Sequence, residues 1–165
     1  MEFREYVAQR SSRLRRTAYL LCRDWATAED LVQSALTKAW LAWGRVGDDP
    51  DPYVYRILVN THASWWRRRW RGEVPTARMP DQVDPHAPNV EDRAALWAAL
   101  GRLGRRERAA VVLRYFDDLD HATIARILGC EPVTVRSQIS RALAKLRVDP
   151  EIAGITESAP VREEA

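Results

Sequence analysis

Cysteine is scarce: only Cys22 and Cys130 occur in 165 residues, far apart and outside any C-x-x-C pair. That excludes a disulfide scaffold and points to a reduced, cytoplasmic protein. His62, His86 and His121 share no metal-ligand spacing with the cysteines, so neither a metal nor another cofactor is expected. No stretch approaches eighteen consecutive apolar residues, and the charged N-terminus lacks a signal-type apolar segment, which predicts no membrane association. Paired carboxylates, a Cys–His signature and a glycine-rich phosphate loop are all missing, so an enzyme is not expected. No convincing strand pattern is found either.

Acidic residues are missing in two particular places. From Pro52 to Gly72 there is none, while Arg56, Arg67, Arg68, Arg69 and Arg71 are basic. From Pro132 to Val148 there is again none, against Arg136, Arg141, Lys145 and Arg147. Between them, Glu73 to Asp92 is acidic, with Glu73, Asp81, Asp84, Glu91 and Asp92 against Arg78. The formal net charge of +3 hides this division. Two separate basic segments predict two contacts with a polyanion.

The periodicity is helical throughout. Phe3, Val7, Leu14, Ala18 and Leu21 mark a first amphipathic helix. Thr27 and Asp30 have the form of a capping box opening a second, whose apolar positions are Ala28, Leu31/Val32, Ala35/Leu36, Ala39/Trp40 and Trp43. Gly44 to Asp51 reads as a loop. Asp51 and Pro52 then give an N-cap and first-turn proline for a third helix running to about Arg71. Its inward side is Val54, Ile57/Leu58, Thr61 and Trp65, and its outward side is Arg56, Asn60, Ser64, Arg67 and Arg71.

Pro75, Pro80, Pro85 and Pro88 make residues 72–89 a linker. A second helical domain starts near Asn89, with Asn89 and Asp92 as a capping pair and Leu96, Trp97, Leu100 and Leu103 as its first stripe. Arg105 to Phe116 reads as one helix, with Ala109, Val112, Leu113 and Phe116 buried. The tail after Val148 is expected to be disordered. The predicted fold is thus all-α: residues 1–71 and 90–148 form two small helical domains, with 72–89 between them and 149–165 as tail.

Residues Ile124 to Val135 have helix-turn-helix form. Ala125 is small where two helices approach, Gly129 supplies a left-handed turn, and Val135 packs the second helix on the first. Asp120 caps the first of these helices and Pro132 opens the second, along which Ile139 and Leu143 continue the buried stripe. The second helix turns outward Thr134, Arg136, Ser137, Ser140, Arg141 and Lys145, which suit base edges and phosphates.

Leu119 to Ala125, Arg136 to Arg147 and the preceding Arg108 to Phe116 resemble the −35-reading domain of bacterial RNA polymerase sigma factors. Ala28 to Trp40 is similar to that family's polymerase-binding helix, and Tyr53 to Arg69, centred on Val59-Asn60-Thr61, to its −10-reading and melting helix. Residues 3 to 148 are covered. The wording of Val59 to His62 and Ser64 to Arg69 looks most like the actinobacterial sigma-E subfamily of the extracytoplasmic-function type. Glu131 and Val133 depart from the family's usual proline and glycine at the recognition-helix start. There Glu131 would disfavour a phosphate or accept from a cytosine amine.

The resemblance implies roles. Asp30, Leu31 and Gln33 would dock on the clamp coiled coil of core RNA polymerase, whose flap is a second partner. Arg56 and Asn60 would read the −10 element, Trp66 and Trp70 would stack on separated bases, and Arg67, Arg68 and Arg69 would hold the opened strand. The loop Gly44 to Asp51 would capture a flipped base. Promoter DNA is the substrate surface, and an anti-sigma factor is a possible further partner. A stand-alone two-domain regulator, with a sensing or dimerising N-terminal half, stays open as the alternative; it leaves the acid-free third helix unexplained.

Overall fold

The computed structural model describes residues 1–70 and 90–150, and among these the regular structure is helical only. The proline-rich segment at 72–89, Arg71, Asn89 and the tail beyond 150 lie outside the described residues. Helix α1 spans Phe3–Cys22, α2 Trp25–Leu41 and α3 Asp51–Trp70; α4 spans Val90–Arg102, α5 Arg105–Val111, α6 His121–Leu128 and α7 Pro132–Arg147. A single 3-10 turn, Trp43–Arg45, follows α2, and α5 widens into a π turn at Val112–Phe116.

In the first half, α1 and α3 both pack on α2. Leu14 and Leu21 of α1, Leu31 of α2 and Leu58 of α3 are all at least 99% buried, each contributing about 2 kcal/mol relative to exposure. The start of α2 differs from the expected capping box. Its cap is Asp24, whose carboxylate accepts from the Thr27 amide at 2.8 Å. Thr27 is therefore the third residue of the helix, and Asp30 is left exposed on its surface. Asp51 likewise sits inside the first turn of α3, because the Pro50 carbonyl accepts the first helical bond from Val54. Its carboxylate instead receives the Tyr6 hydroxyl at 2.9 Å and pairs with Arg10 at 3.3 Å, fastening α1 to the start of α3.

The second half closes on itself through α5, α6 and α7. Leu100, Leu113, Ile124, Ile127 and Val135 are at its centre. Arg105–Phe116 is not one regular helix: the Asp117 amide reaches back to the Val112 carbonyl, and that wider turn leads into Asp118 at φ 53°. Asp149, expected to begin the tail, is buried and accepts two bonds of 2.7 Å from Arg102. That clamp joins the ends of α4 and α7.

The two halves are docked. Helix α3 packs along α6, and α1 packs on the π turn. The carboxylate of Asp117, with no exposed side-chain area, accepts from Arg13 Nε at 3.0 Å, Thr17 Oγ1 at 2.7 Å and Tyr55 Oη at 2.9 Å. Arg13 also donates to the Asp117 carbonyl. Nearby, Tyr19 stacks between Trp25 and Trp97 at 3.9 and 4.3 Å, and the Arg23 guanidinium lies 5.4 Å from the Trp97 ring centre.

Arg108 is buried without a carboxylate. Its guanidinium donates to the carbonyls of Leu21, Leu100, Gly101 and Leu103 at 2.8–3.2 Å. These belong to the ends of α1 and α4, where orphan carbonyls and the helix dipole favour a cation. Burial, and then the charge of Arg23, pull its pKa down to about 10, which still leaves it charged at neutral pH. Replacing Arg108 by Ala should strand these carbonyls and cost about 3 kcal/mol. Urea unfolding of the full chain checks this through a lower midpoint.

Candidate nucleic-acid interface

Three outward faces carry the residues singled out from the sequence. On α2, Asp30 and Gln33 are exposed, and Gln33 donates to Glu29 at 3.2 Å. Leu31 is 0% exposed and so cannot touch a partner; its place in the helix turns it into the core between α1 and α3. Trp40 was expected inward beside Ala39. Ala39 is buried, but Trp40 is 60% exposed and borders a groove of about 370 Å³ with Phe3, Val7, Val32, Gln33 and Leu36. The pattern Ala39-Trp40 admits either residue as the inward one, and only packing against α3 decides.

Helix α3 turns Val54, Leu58 and Thr61 inward, as expected, and Lys38 of α2 donates to Thr61 Oγ1 at 3.0 Å. Arg56, Asn60, Trp66, Arg67 and Arg68 are exposed, and Ser64 and Trp65 are half-buried. Arg69 lies on the same helix, its side chain outside what the structure describes. Tyr55 and His62 were not foreseen as buried. They lie on a second inward side of α3, covered by the other half of the molecule.

Between the halves, Val59, Asn60, Ala63 and Arg67 of α3 share a cleft of about 200 Å³ with Arg105, Arg106, Ala109 and Leu128. Among the described residues, no carboxylate lines it. Burial, then the charges of Arg106 and Arg67, hold the Arg105 guanidinium below its ordinary pKa.

The third face is α7. Asp120 accepts from the Thr123 amide at 2.7 Å, Gly129 adopts φ 67°, and the Cys130 amide returns to the Ala125 carbonyl at 3.0 Å. A Cβ at φ 67° would be strained, which is why glycine stands there. Pro132 opens α7, and Val135, Ile139 and Ala142 bury one side of it. Arg136, Ser137, Ser140, Arg141 and Lys145 are exposed, while Thr134 is half-buried. Glu107 of α5 pairs with Lys145 at 2.7 Å and lies 3.9 Å from Arg141, so the two cations are held at one edge of the helix. Val133, 65% exposed at the helix start, was passed over as a contact.

Comparison with known proteins agrees with this arrangement. Residues 6–72 match the family described as Sigma-70 region 2, and residues 93–146 match Sigma-70, region 4. The chain is 38% identical to the RNA polymerase sigma-E factor of Streptomyces avermitilis, over 99% of this chain and 93% of that one. It belongs to the extracytoplasmic-function sigma factors.

Other members are similar over most of their length. The sigma factor SigL of Mycobacterium tuberculosis is 30% identical, over 86% of this chain and 84% of that one. The structure of the Bartonella quintana sigma factor RpoE with the anti-sigma factor NepR superposes with a TM-score of 0.74 at 25% identity, covering 93% of this chain and 97% of that one. The fold of CnrH, solved with the cytosolic domain of CnrY, is also shared, at a TM-score of 0.65 and 22% identity, covering 95% and 89%. As a sigma factor, this chain directs transcription initiation.

The cap of α6 makes the sigma factor's helix-turn-helix sensitive to acid. The Thr123 backbone bond, first, and its side chain, second, depress the Asp120 pKa. A depressed carboxylate contributes stability above its unfolded pKa of about 3.9 and loses it as pH falls through the folded value. Asp120→Ala should therefore lower the melting temperature at pH 7. The difference from the parent chain should shrink below about pH 4, which thermal melts at the two pH values test.

Proposed function

We propose that residues 1–71 bind core RNA polymerase and read and melt the −10 element, while residues 90–148 read the −35 element. The reading is supported by two acid-free helix faces, on α3 and α7, lying in the order of the two sigma regions. Asp30, Gln33 and the exposed Trp40 bind the clamp coiled coil, and the flap meets the second half.

Asn60 makes a bidentate contact to adenine or to a separated base, with Arg56 beside it. Trp66 stacks on an unpaired base, and Arg67, Arg68 and Arg69 hold the strand backbone. On α7, Thr134, Arg136 and Ser137 approach base edges, and Ser140, Arg141 and Lys145 the phosphates. No covalent chemistry is required: the protein exchanges duplex stacking for single-strand contacts, at about 1.4 kcal/mol per step. It acts in the cytoplasm, where polymerase and promoter are. An anti-sigma factor is a further partner, as in the solved complexes of its relatives.

Reconstitution with core polymerase, followed by transcription from a fragmented genomic library, tests this. Discrete starts are expected only with both components, and they yield both promoter elements. Asn60→Ala should cost about 1–3 kcal/mol at the −10 element, a loss of roughly 5- to 150-fold, and Arg141→Ala should weaken −35 binding and its salt slope. A chain that shifts promoter DNA alone and fails to bind core polymerase would instead be a stand-alone regulator.

A further inference from the structure

Glu131 and Val133 stand on either side of Pro132 at the start of α7, and both are exposed, Val133 to 65%. Glu131 is the N-cap, its carbonyl accepting from the Thr134 amide at 3.0 Å and the Val135 amide at 3.2 Å. Its side chain makes no capping bond. The caps of α2 and α6 differ: the carboxylates of Asp24 and Asp120 each accept from an amide of their own helix, at 2.8 and 2.7 Å. The Glu131 carboxylate is thus left to solvent at the front of a helix that has no acid of its own. Val133 adds little to the core and lies on the same outward stripe as Arg136, Ser137 and Ser140. One turn on, the Ser137 hydroxyl donates to the Val133 carbonyl at 3.1 Å.

We propose that Glu131 and Val133 set which −35 sequence this chain selects: the Glu131 carboxylate accepts from the exocyclic amine of a cytosine, and the Val133 methyls pack on the 5-methyl of a thymine. The inference rests on the −35 reading of α7. When a helix enters the major groove by its N-terminal end, the residues of its first turn lie nearest the base edges. A carboxylate has no donor and is repelled by phosphates, so only a donor on a base satisfies it there. The groove offers two, the amines of cytosine and adenine. Adenine sets its N7 acceptor beside the amine, against the second carboxylate oxygen, whereas cytosine has no acceptor on its own edge. Guanine would set acceptor against acceptor. Valine brings neither donor nor acceptor, and thymine is the base that presents a methyl group in the groove.

Glu131→Ala and Val133→Ala are made in the full chain and reconstituted with core polymerase. Neither side chain is buried or bonded within the fold, so both variants should fold, which circular dichroism checks. Transcription from promoters with a randomised −35 segment gives the base preferences. Glu131→Ala should lose a cytosine preference of about fivefold or more at one position and keep the others. Val133→Ala should lose a thymine preference at another. Replacing that thymine by deoxyuridine, which lacks only the methyl, should weaken initiation by the parent about fourfold and leave Val133→Ala nearly unaffected.

If Glu131→Ala raises initiation from all sequences alike, the carboxylate merely repels phosphates and the cytosine contact is overturned. A preference lost for any other base overturns it as well. The thymine contact is overturned if deoxyuridine costs the parent nothing, or costs Val133→Ala as much. Should the parent show no −35 preference, with Arg136→Ala and Arg141→Ala leaving initiation unchanged, the −35 reading of α7 is what has failed, and the proposal falls with it.

Discussion

The buried carboxylate of Asp117 is the constraint on which the arrangement of the two halves depends. Taking such a charge out of water costs several kcal/mol unless opposite charge and hydrogen bonds replace the lost hydration. Here Arg13 supplies the charge, and Thr17 and Tyr55 supply two further donors. Burial first, and the neighbouring carboxylate second, push the Tyr55 phenol upward, so it remains a donor at any pH at which the protein folds. The donors come from two helices, and the acceptor from a segment aimed by a π turn. An apolar contact tolerates sliding; a carboxylate that must meet three donors permits one register. The stacked Tyr19 and Trp97 add area to the same boundary, and Arg108 ties the ends of α1 and α4 beside it.

Placement and stability are separate matters. A satisfied buried pair need not stabilise more than an apolar replacement would, and the cleft on the far side of α3 works against docking. Arg67, Arg105 and Arg106 line it together, with no carboxylate among the described lining residues. Added salt screens these partly exposed cations more than it screens Asp117, whose side chain has no solvent contact. Higher ionic strength thus favours the docked form while it weakens phosphate contacts.

Much of this was legible in the sequence where local chemistry decides structure. The helix-turn-helix from Asp120 to Ile139 was readable because each signal is local: a carboxylate cap, a glycine at the left-handed turn, a proline in the first turn and a regular apolar stripe. The acid-free faces of α3 and α7 were readable because charge patterning survives folding. Failures came where two local rules competed. Thr27 and Asp30 fit a capping box, but Asp24, three residues earlier, reaches the same amide after a left-handed turn at Arg23. Leu31 lies in the segment whose sequence suggested a polymerase contact and yet is core, because a helix offers both faces within two residues.

Asp117 could not have been singled out, since it stands in Asp117-Asp118-Leu119-Asp120, which reads as a solvated loop. Only the tertiary placement of Arg13, Thr17 and Tyr55, 62 or more positions away, makes one of these acids different from the others. Arg108 is a parallel case: its partners are backbone carbonyls, which leave no trace in the residue pattern.

The proposed roles differ in how far the docked halves leave their surfaces open. The outward side of α2, with Asp30, Gln33 and Trp40, stays exposed while the halves are docked, because α2 packs on α1 and α3. The outward side of α7 is exposed as well. On α3, Asn60 and Arg67 border the cleft against the other half, and Arg56, Trp66 and Arg68 are exposed. On the proposed reading each half is a DNA module of its own, and a tether makes the second contact intramolecular once the first is formed.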